Sequence, residues 1–232
     1  MAQILLAFND SSTMKAIVLA AGLGTRMGGL TVSLPKALLE VGGRPLVVHQ
    51  LVRLAGAGVE KIVVNVARNG DKIRAVLGDG SRWHVELSYS DEGDVPLETG
   101  GGILRALPQL GPGPFLVVNA DVLTDFDPAE LSLDGADGTL LLVPNPDHHP
   151  EGDFALDAEG CVRAEGPRLT YGGVALLSPR LFAGCSPGAQ PLKPILDAAI
   201  ARGTLRGRRY EGRWIDVGTP ERLERARGMF GA

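Results

Sequence analysis

The chain has 232 residues, 44% of them hydrophobic and 22% charged, with a formal net charge of −4. That is the composition of a soluble globular protein, long enough to bury a core as one large domain or two small ones. No apolar run approaches the ~18 residues of a membrane span, and the net acidity argues against nucleic acid as the main partner.

Met1–Phe8 carries a short apolar patch without the basic segment that opens a signal peptide. Met14 then begins a strong strand pattern, so residues 1–13 read as an N-terminal extension and 14–232 as one domain of a cytoplasmic protein. Lys15–Ala20 reads as a buried strand, followed by a glycine-rich loop from Ala21 to Leu30. Pro45–Ala57 has helical spacing, with a proline suited to the first turn and glycines near its end. Lys61–Val66 is the next strand, Asp71–Leu77 a short helix, and His84–Tyr89 alternates as a strand does. Ile103–Leu107 begins an amphipathic helix that Pro108 is expected to stop, and Phe115–Asn119 is another buried strand. Short strands are expected at Thr139–Val143, Phe154–Asp157, Cys161–Ala164 and Val174–Leu177, then a helix at Leu192–Arg202. The arginines at 202, 206, 208, 209 and 213, interrupted by Glu211, read as a solvated surface. Thr219-Pro220-Glu221 opens a final helix with a cap, a first-turn proline and an acid. Cys161 and Cys185 lack metal-like spacing and read as free thiols.

Alternation of strand and helix implies a mixed, mostly parallel sheet with helices on both faces, in which ligands bind beyond the carboxyl ends of the strands. The loops after Ala20, Val66, Tyr89 and Asn119 are therefore the ones to inspect. In Ala20-Ala21-Gly22-Leu23-Gly24-Thr25-Arg26-Met27, small residues let backbone approach a ligand and successive amides form a nest for phosphate oxygens. A dinucleotide fingerprint is excluded because Met27 stands where its third glycine belongs, and a Walker A loop because no Gly-Lys-Ser/Thr follows. Taken alone, the loop also fits a structural turn. Arg26 and Lys36 favour phosphate, since arginine forks onto phosphate oxygens and lysine supplies a compact charge. Asn119-Ala120-Asp121 ends an apolar strand with a carboxylate, and Asp216 follows a second short strand. Either acid alone fits a cap or turn; as a pair beside the loop they suit Mg2+, which takes one or two carboxylates plus substrate phosphates. In Glu98-Thr99-Gly100-Gly101-Gly102, Thr99 reads as a helix cap, the glycines as bare amides at the helix's positive end, and Glu98 as an acceptor for sugar hydroxyls or a base edge.

Leu19-Ala-Ala-Gly-x-Gly-Thr-Arg-Met27 with a downstream Pro35-Lys36, Asn119-Ala-Asp121 and Trp214-Ile-Asp-Val-Gly-Thr219 resembles the sugar-phosphate nucleotidyltransferase family. Pro96-Leu-Glu-Thr-Gly-Gly-Gly102 and His148-His149-x-x-Gly152-Asp153-Phe154 are similar to the N-acetylmuramate alpha-1-phosphate uridylyltransferases within it. The resemblance runs from about Met14 to the C-terminus and implies a single-domain Rossmann-like (GT-A-like) fold. It implies UTP and N-acetylmuramic acid 1-phosphate as substrates and Mg2+ on Asp121 and Asp216. Ala20, Ala21 and Gly22 would touch the nucleotide, Lys36 its phosphates, and Asn119 and Asp153 the sugar phosphate or the nucleotide. Gly24, Thr25, Arg26, Thr99 and Gly100 complete the set expected around the nucleotide, with Arg26 and Lys36 catalytic. Gly28-Gly29 stands where the family has a residue plus proline, which implies a looser loop around Arg26. His148-His149 lacks zinc-site spacing and reads as a loop bordering the sugar pocket. A sugar phosphate is already ionised at neutral pH, so no histidine base is required. The same motifs would serve GTP with mannose- or heptose-1-phosphate, and a non-catalytic nucleotide sensor is the alternative from another class. No protein partner is implied.

Overall fold

The computed structural model describes residues 14–231; the expected extension at 1–13 lies outside the described residues. Strand β1 (Lys15–Leu19) leads into 3-10 turns over Thr25–Thr31 and Lys36–Leu38. Two-residue strands β2 (Glu40–Val41) and β3 (Arg44–Pro45) follow, joined by Gly42 and Gly43 at φ of 58° and 67°, the two left-handed positions of a tight hairpin turn. Then come α1 (Leu46–Gly56), β4 (Lys61–Val66), α2 (Gly70–Leu77), β5 (Glu86–Asp91), α3 (Glu98–Leu110) and β6 (Phe115–Asn119). The second half supplies β7 (Val122–Thr124), β8 (Gly138–Val143), β9 (Phe154–Leu156), β10 (Val162–Arg163) and β11 (Arg168–Leu177). Helix α4 (Leu192–Ala201), β12 (Leu205–Arg209), β13 (Trp214–Asp216) and α5 (Pro220–Phe230) complete the described chain.

The main sheet runs β5-β4-β1-β6-β11-β8-β12, with β9 and β10 attached beside the start of β11. β1 pairs in parallel with β4 and β6, β4 with β5, and β8 with β12; β11 is antiparallel to both of its main neighbours. The mixed, mostly parallel sheet follows from helical crossovers, which return the chain in the same direction each time. Alternation within β1 divides the core. Ala16 and Val18 face α1 and α2, packing with Val47, Leu51, Leu54, Ile73 and Leu77. Ile17 faces α3 and α4, packing with Ile103, Ala106, Leu196 and Ala199. A third cluster joins α5 to the early loops, where Leu223 and Ala226 meet Met27, Leu39, Leu123 and Ile215.

Four expectations need correction. Helix α3 begins at Glu98, five residues earlier than expected, and Pro108 lies in its last turn without stopping it. There the proline forfeits one late hydrogen bond, and the chain leaves the helix three residues further on at Gly111. Thr99 is not the cap; Leu97 holds that position without a side-chain hydrogen bond, and Thr99 lies in the first turn. The β5 pairing is shifted to Glu86–Asp91 because Ser81–Trp83 forms a 3-10 turn and His84 adopts φ of 59°. The late arginines are exposed or half-buried, as expected of a solvated surface, and three of them lie on a strand that was not expected, β12, paired with β8 on one side and bridged by Cys161 on the other.

Candidate active site

Strand order reverses between β1 and β6, the position at which parallel sheets open a crevice. Leu19 and Asn119 stand in register there, and the Ala120 amide donates to the Leu19 carbonyl at 3.0 Å. A cleft of about 320 Å³ opens beyond these strand ends. Its wall includes Ala20, Ala21, Gly22, Gly24, Thr25, Arg26, Lys36, Glu98, Thr99, Asn119 and Asp121. Gly100, Asp153 and Asp216 are not part of that wall.

The phosphate-loop segment is held from both ends. The amides of Ala20 and Ala21 donate to Asn65 Oδ1 at 2.6 and 3.3 Å, and the Met27 amide donates to the Gly24 carbonyl at 2.9 Å. Those three amides are spent, so a backbone cradle for phosphate is confined to the stretch starting at Gly22. Gly24 adopts φ of 64°, and a Cβ there would stand 3.0 Å from Lys36 Cβ; glycine lets the loop pass beside the lysine. Met27 is buried in the third cluster, which anchors the loop while Arg26 stays exposed. Gly28, at φ of 58° and ψ of −133°, breaks the 3-10 turns over Thr25–Thr31 with a kink.

Lys36 forms an ion pair with Asp121, and the lysine side chain is only 12% exposed. Asp121 is fixed through its backbone as well, its carbonyl accepting from the Val217 amide at 2.8 Å. Next to it β7 pairs with β13, placing Asp216 opposite Val122. From α1, the buried Gln50 amide donates to the Val122 carbonyl and steadies that ladder. Asp216 accepts from Arg222 Nη1 at 2.9 and 2.8 Å on its two oxygens and lies 3.1 Å from His148 Nε2. Arg222 also touches His148, and its side chain is 8% exposed. Gly218 makes room for this guanidinium: a Cβ there would fall 1.8 Å from Nη2. Asp153 is held by His149 Nε2 at 3.1 Å and by the Tyr171 amide at 2.8 Å. The two adjacent histidines therefore link Asp216 and Asp153 to one turn.

The three glycines that open α3 are buried, and they serve packing where bare amides were expected. The Gly101 amide donates to the Gln190 carbonyl at 3.0 Å, and a Cβ on Gly100 would stand 2.8 Å from the Pro191 carbonyl oxygen. Gly100 and Gly101 let α3 pack against the Gly188–Pro191 backbone, while Gly102 faces Glu92 and Asn65. Glu98 turns at φ of 58°, a left-handed position unusual for a side chain of this kind, and it lines the cleft.

These features coincide with a known family. Residues 16–132 match the family model described as a MobA-like NTP transferase domain. The chain is 44% identical over 229 residues to an N-acetylmuramate alpha-1-phosphate uridylyltransferase of Neisseria meningitidis, covering 94% of this chain and 99% of that protein. The chain belongs to the sugar-phosphate nucleotidyltransferase family. A Caulobacter vibrioides protein of the same description is 39% identical, over 89% of this chain and 92% of that one. The fold agrees with an inositol-1-phosphate CTP transferase structure from T. maritima, at a TM-score of 0.79 and 21% identity, covering 94% of this chain and 96% of that one.

A sugar-1-phosphate nucleotidyltransferase must bring two anions together, and its donor set can be tested against a divalent ion. Asp121 lies in the turn between β6 and β7 and Asp216 at the end of β13, which pairs with β7; they are 29% and 24% exposed, and each carboxylate has lone pairs beyond those its basic partner uses. Among the described residues no group of three or more His, Cys, Asp or Glu side chains gathers to hold a metal. Two hard oxygen ligands, with phosphates and water to complete the shell, fit Mg2+ and not a closed zinc site. Sequence reasoning missed Arg222, Asn65 and Glu92. A polar residue inside the apolar run Ile62-Val63-Val64-Asn65-Val66 was the one local signal among them.

Proposed function

We propose that this chain transfers the uridylyl group of UTP to N-acetylmuramic acid alpha-1-phosphate, releasing pyrophosphate, as a Mg2+-dependent cytoplasmic enzyme of cell-wall recycling. The observation that carries the chemistry is the Val217 amide bonded to the Asp121 carbonyl, because it ties both acids to one ladder beside Lys36 and the phosphate loop. The choice of base and sugar rests on near-full-length likeness to uridylyltransferases. Among the described residues, no helix is long and apolar enough to cross a membrane.

In this reading Asp121 and Asp216 hold Mg2+, which would neutralise charge on the α-phosphate and the sugar phosphate. The sugar phosphate oxygen, ionised near pH 6, attacks the α-phosphorus, and the bond to the β-phosphate bridging oxygen breaks. Lys36 steadies the charge that builds on the α-phosphate. Arg26 and the free loop amides from Gly22 hold the β and γ phosphates as they leave. Asn119 and Asp153 orient the sugar phosphate, and Glu98 and Thr99 border the nucleoside. No side chain has to remove a proton, so the work is positioning and charge neutralisation.

Pyrophosphate release across UTP, GTP, CTP and dTTP, each paired with the 1-phosphates of N-acetylmuramic acid, N-acetylglucosamine and mannose, tests this. The highest kcat/KM is expected for UTP with N-acetylmuramic acid 1-phosphate, and chelation of Mg2+ should abolish release. A preference for GTP with mannose 1-phosphate would replace the substrate pair, and release from no pair would end the catalytic reading.

A further inference from the structure

The cleft has two poles of different chemistry. At the end of β6 stand Asp121 and Lys36, the phosphate pole. Three strand spacings away, about 14 Å at 4.8 Å each, the end of β5 offers Glu92, which lines the same cleft. The same wall carries Pro96, Glu98 and Thr99 from the segment after β5, whereas its cations, Arg26 and Lys36, come from the segment after β1. Such a pole repels phosphate and suits an uncharged nucleoside.

Glu92 is a buried carboxylate, 8% exposed, without a basic partner among the described residues. One oxygen accepts from Asn65 Nδ2 at 2.6 Å and the other from the Leu97 amide at 2.7 Å. Asn65, 3% exposed, uses its own oxygen to accept from the Ala20 and Ala21 amides. Because both of those partners are backbone donors, the orientation of the Asn65 amide is fixed. The space for the contact is left by Gly102, where a Cβ would fall 2.4 Å from Glu92 Oε1 and 2.9 Å from Asn65 Nδ2. A continuous chain of hydrogen bonds, buried at its centre, thus runs from the loop after β1, through the ends of β4 and β5, to the cap of α3.

We propose that Asn65 and Glu92 are positioning residues, a relay that sets the backbone of Ala20 and Ala21 against the start of α3 and so shapes the nucleoside end of the cleft. This rests on the nucleotidyl-transfer reading above. The relay has a direction. Asn65→Asp keeps the acceptor for Ala20 and Ala21 but sets two carboxylates against each other. Glu92→Gln keeps one acceptor and turns the other contact into donor against donor. Combined, N65D/E92Q reverses the central hydrogen bond and leaves every partner satisfied.

The test is KM for UTP and for N-acetylmuramic acid 1-phosphate, with calorimetric UTP affinity and melting temperature, in the two single variants and the double. Each single variant should weaken UTP about tenfold, as expected for one broken buried hydrogen bond. The KM for the sugar phosphate should stay within about twofold, and the double variant should recover UTP binding to within about threefold. Single variants that bind UTP as the wild type does, a double no better than the worse single, or both KM values moving together with the melting temperature would overturn the relay. A poorly folding N65D chain that E92Q recovers supports it, and E92Q alone still reads the split between the two substrates. Wild-type protein that binds UTP but turns over no substrate pair defeats the functional reading and leaves the relay to be decided by calorimetry.

Discussion

Asp121 and Asp216 are equivalent in sequence logic and unequal in surroundings. Lys36, on a 3-10 turn, meets the first, while the second is clasped by Arg222 from α5 and by His148. Asp121→Ala and Asp216→Ala should each lower turnover by about 10²–10³, the usual loss when one electrostatic contact leaves an active site. Asp216→Ala should also lower the melting temperature. It leaves Arg222, 8% exposed, with a charge poorly compensated, a defect worth about 1–3 kcal/mol. Steady-state kinetics and thermal denaturation of both variants check this, and wild-type turnover in either would remove the metal assignment. The acids were legible because each ends a strand in a Gly- or Ala-rich context. Their partners were not: Lys36 and Asp121 are 85 residues apart, and Arg222, only six residues from Asp216, reaches it from a different element and meets His148 across 74 residues.

Among the elements, α3 departs most from its local pattern. Three successive glycines should weaken a helix start, yet all three are buried, because α3 approaches the Gly188–Pro191 backbone at Gly100 and Gly101, and the Glu92–Asn65 pair at Gly102, too closely for side chains. Gly101→Ala would put a Cβ 2.2 Å from the Gly188 carbonyl oxygen and should cost about 1–3 kcal/mol by urea denaturation. Gly56→Ala is the contrasting substitution: nothing lies within 4 Å of its Cβ position at the end of α1, so it should be neutral or stabilise by up to about 1 kcal/mol. A Gly101→Ala loss no larger than the change at Gly56 would mean that close packing does not explain the glycine. β12 was hidden for a different reason. Its arginines erase the apolar signal that marks a strand, and only its pairing with β8 makes it one.

At the scale of the whole molecule, burial is recorded by the three tyrosines. Burial raises Tyr89 and Tyr171 above their ordinary value, and burial together with the hydrogen bond to Asp125 pushes Tyr210 up to about 12. Folding therefore favours the neutral phenols. The stability they contribute is complete below about pH 10, the unfolded value, and is lost as pH rises through the folded values. Absorbance titration of the native protein should show no phenolate step near pH 10, followed by alkaline unfolding, whereas guanidinium-unfolded chain should titrate at the ordinary value. A native step at pH 10 would contradict the packing around Tyr89 and Tyr210. What the amino-acid order determined by itself was everything encoded between near neighbours: the alternation of strands and helices, the glycine loop, the two acids at strand ends and the cap of α5. What the tertiary structure alone decided was which of those meet. Strand order put the ends of β1 and β6 side by side, brought Asn65 to Ala20 across 45 residues and to Glu92 across 27, and gave each acid its cation. Local patterning arises from contacts within a few residues along the chain, whereas a hydrogen bond between distant segments depends on how the sheet is assembled, which no single stretch of sequence specifies.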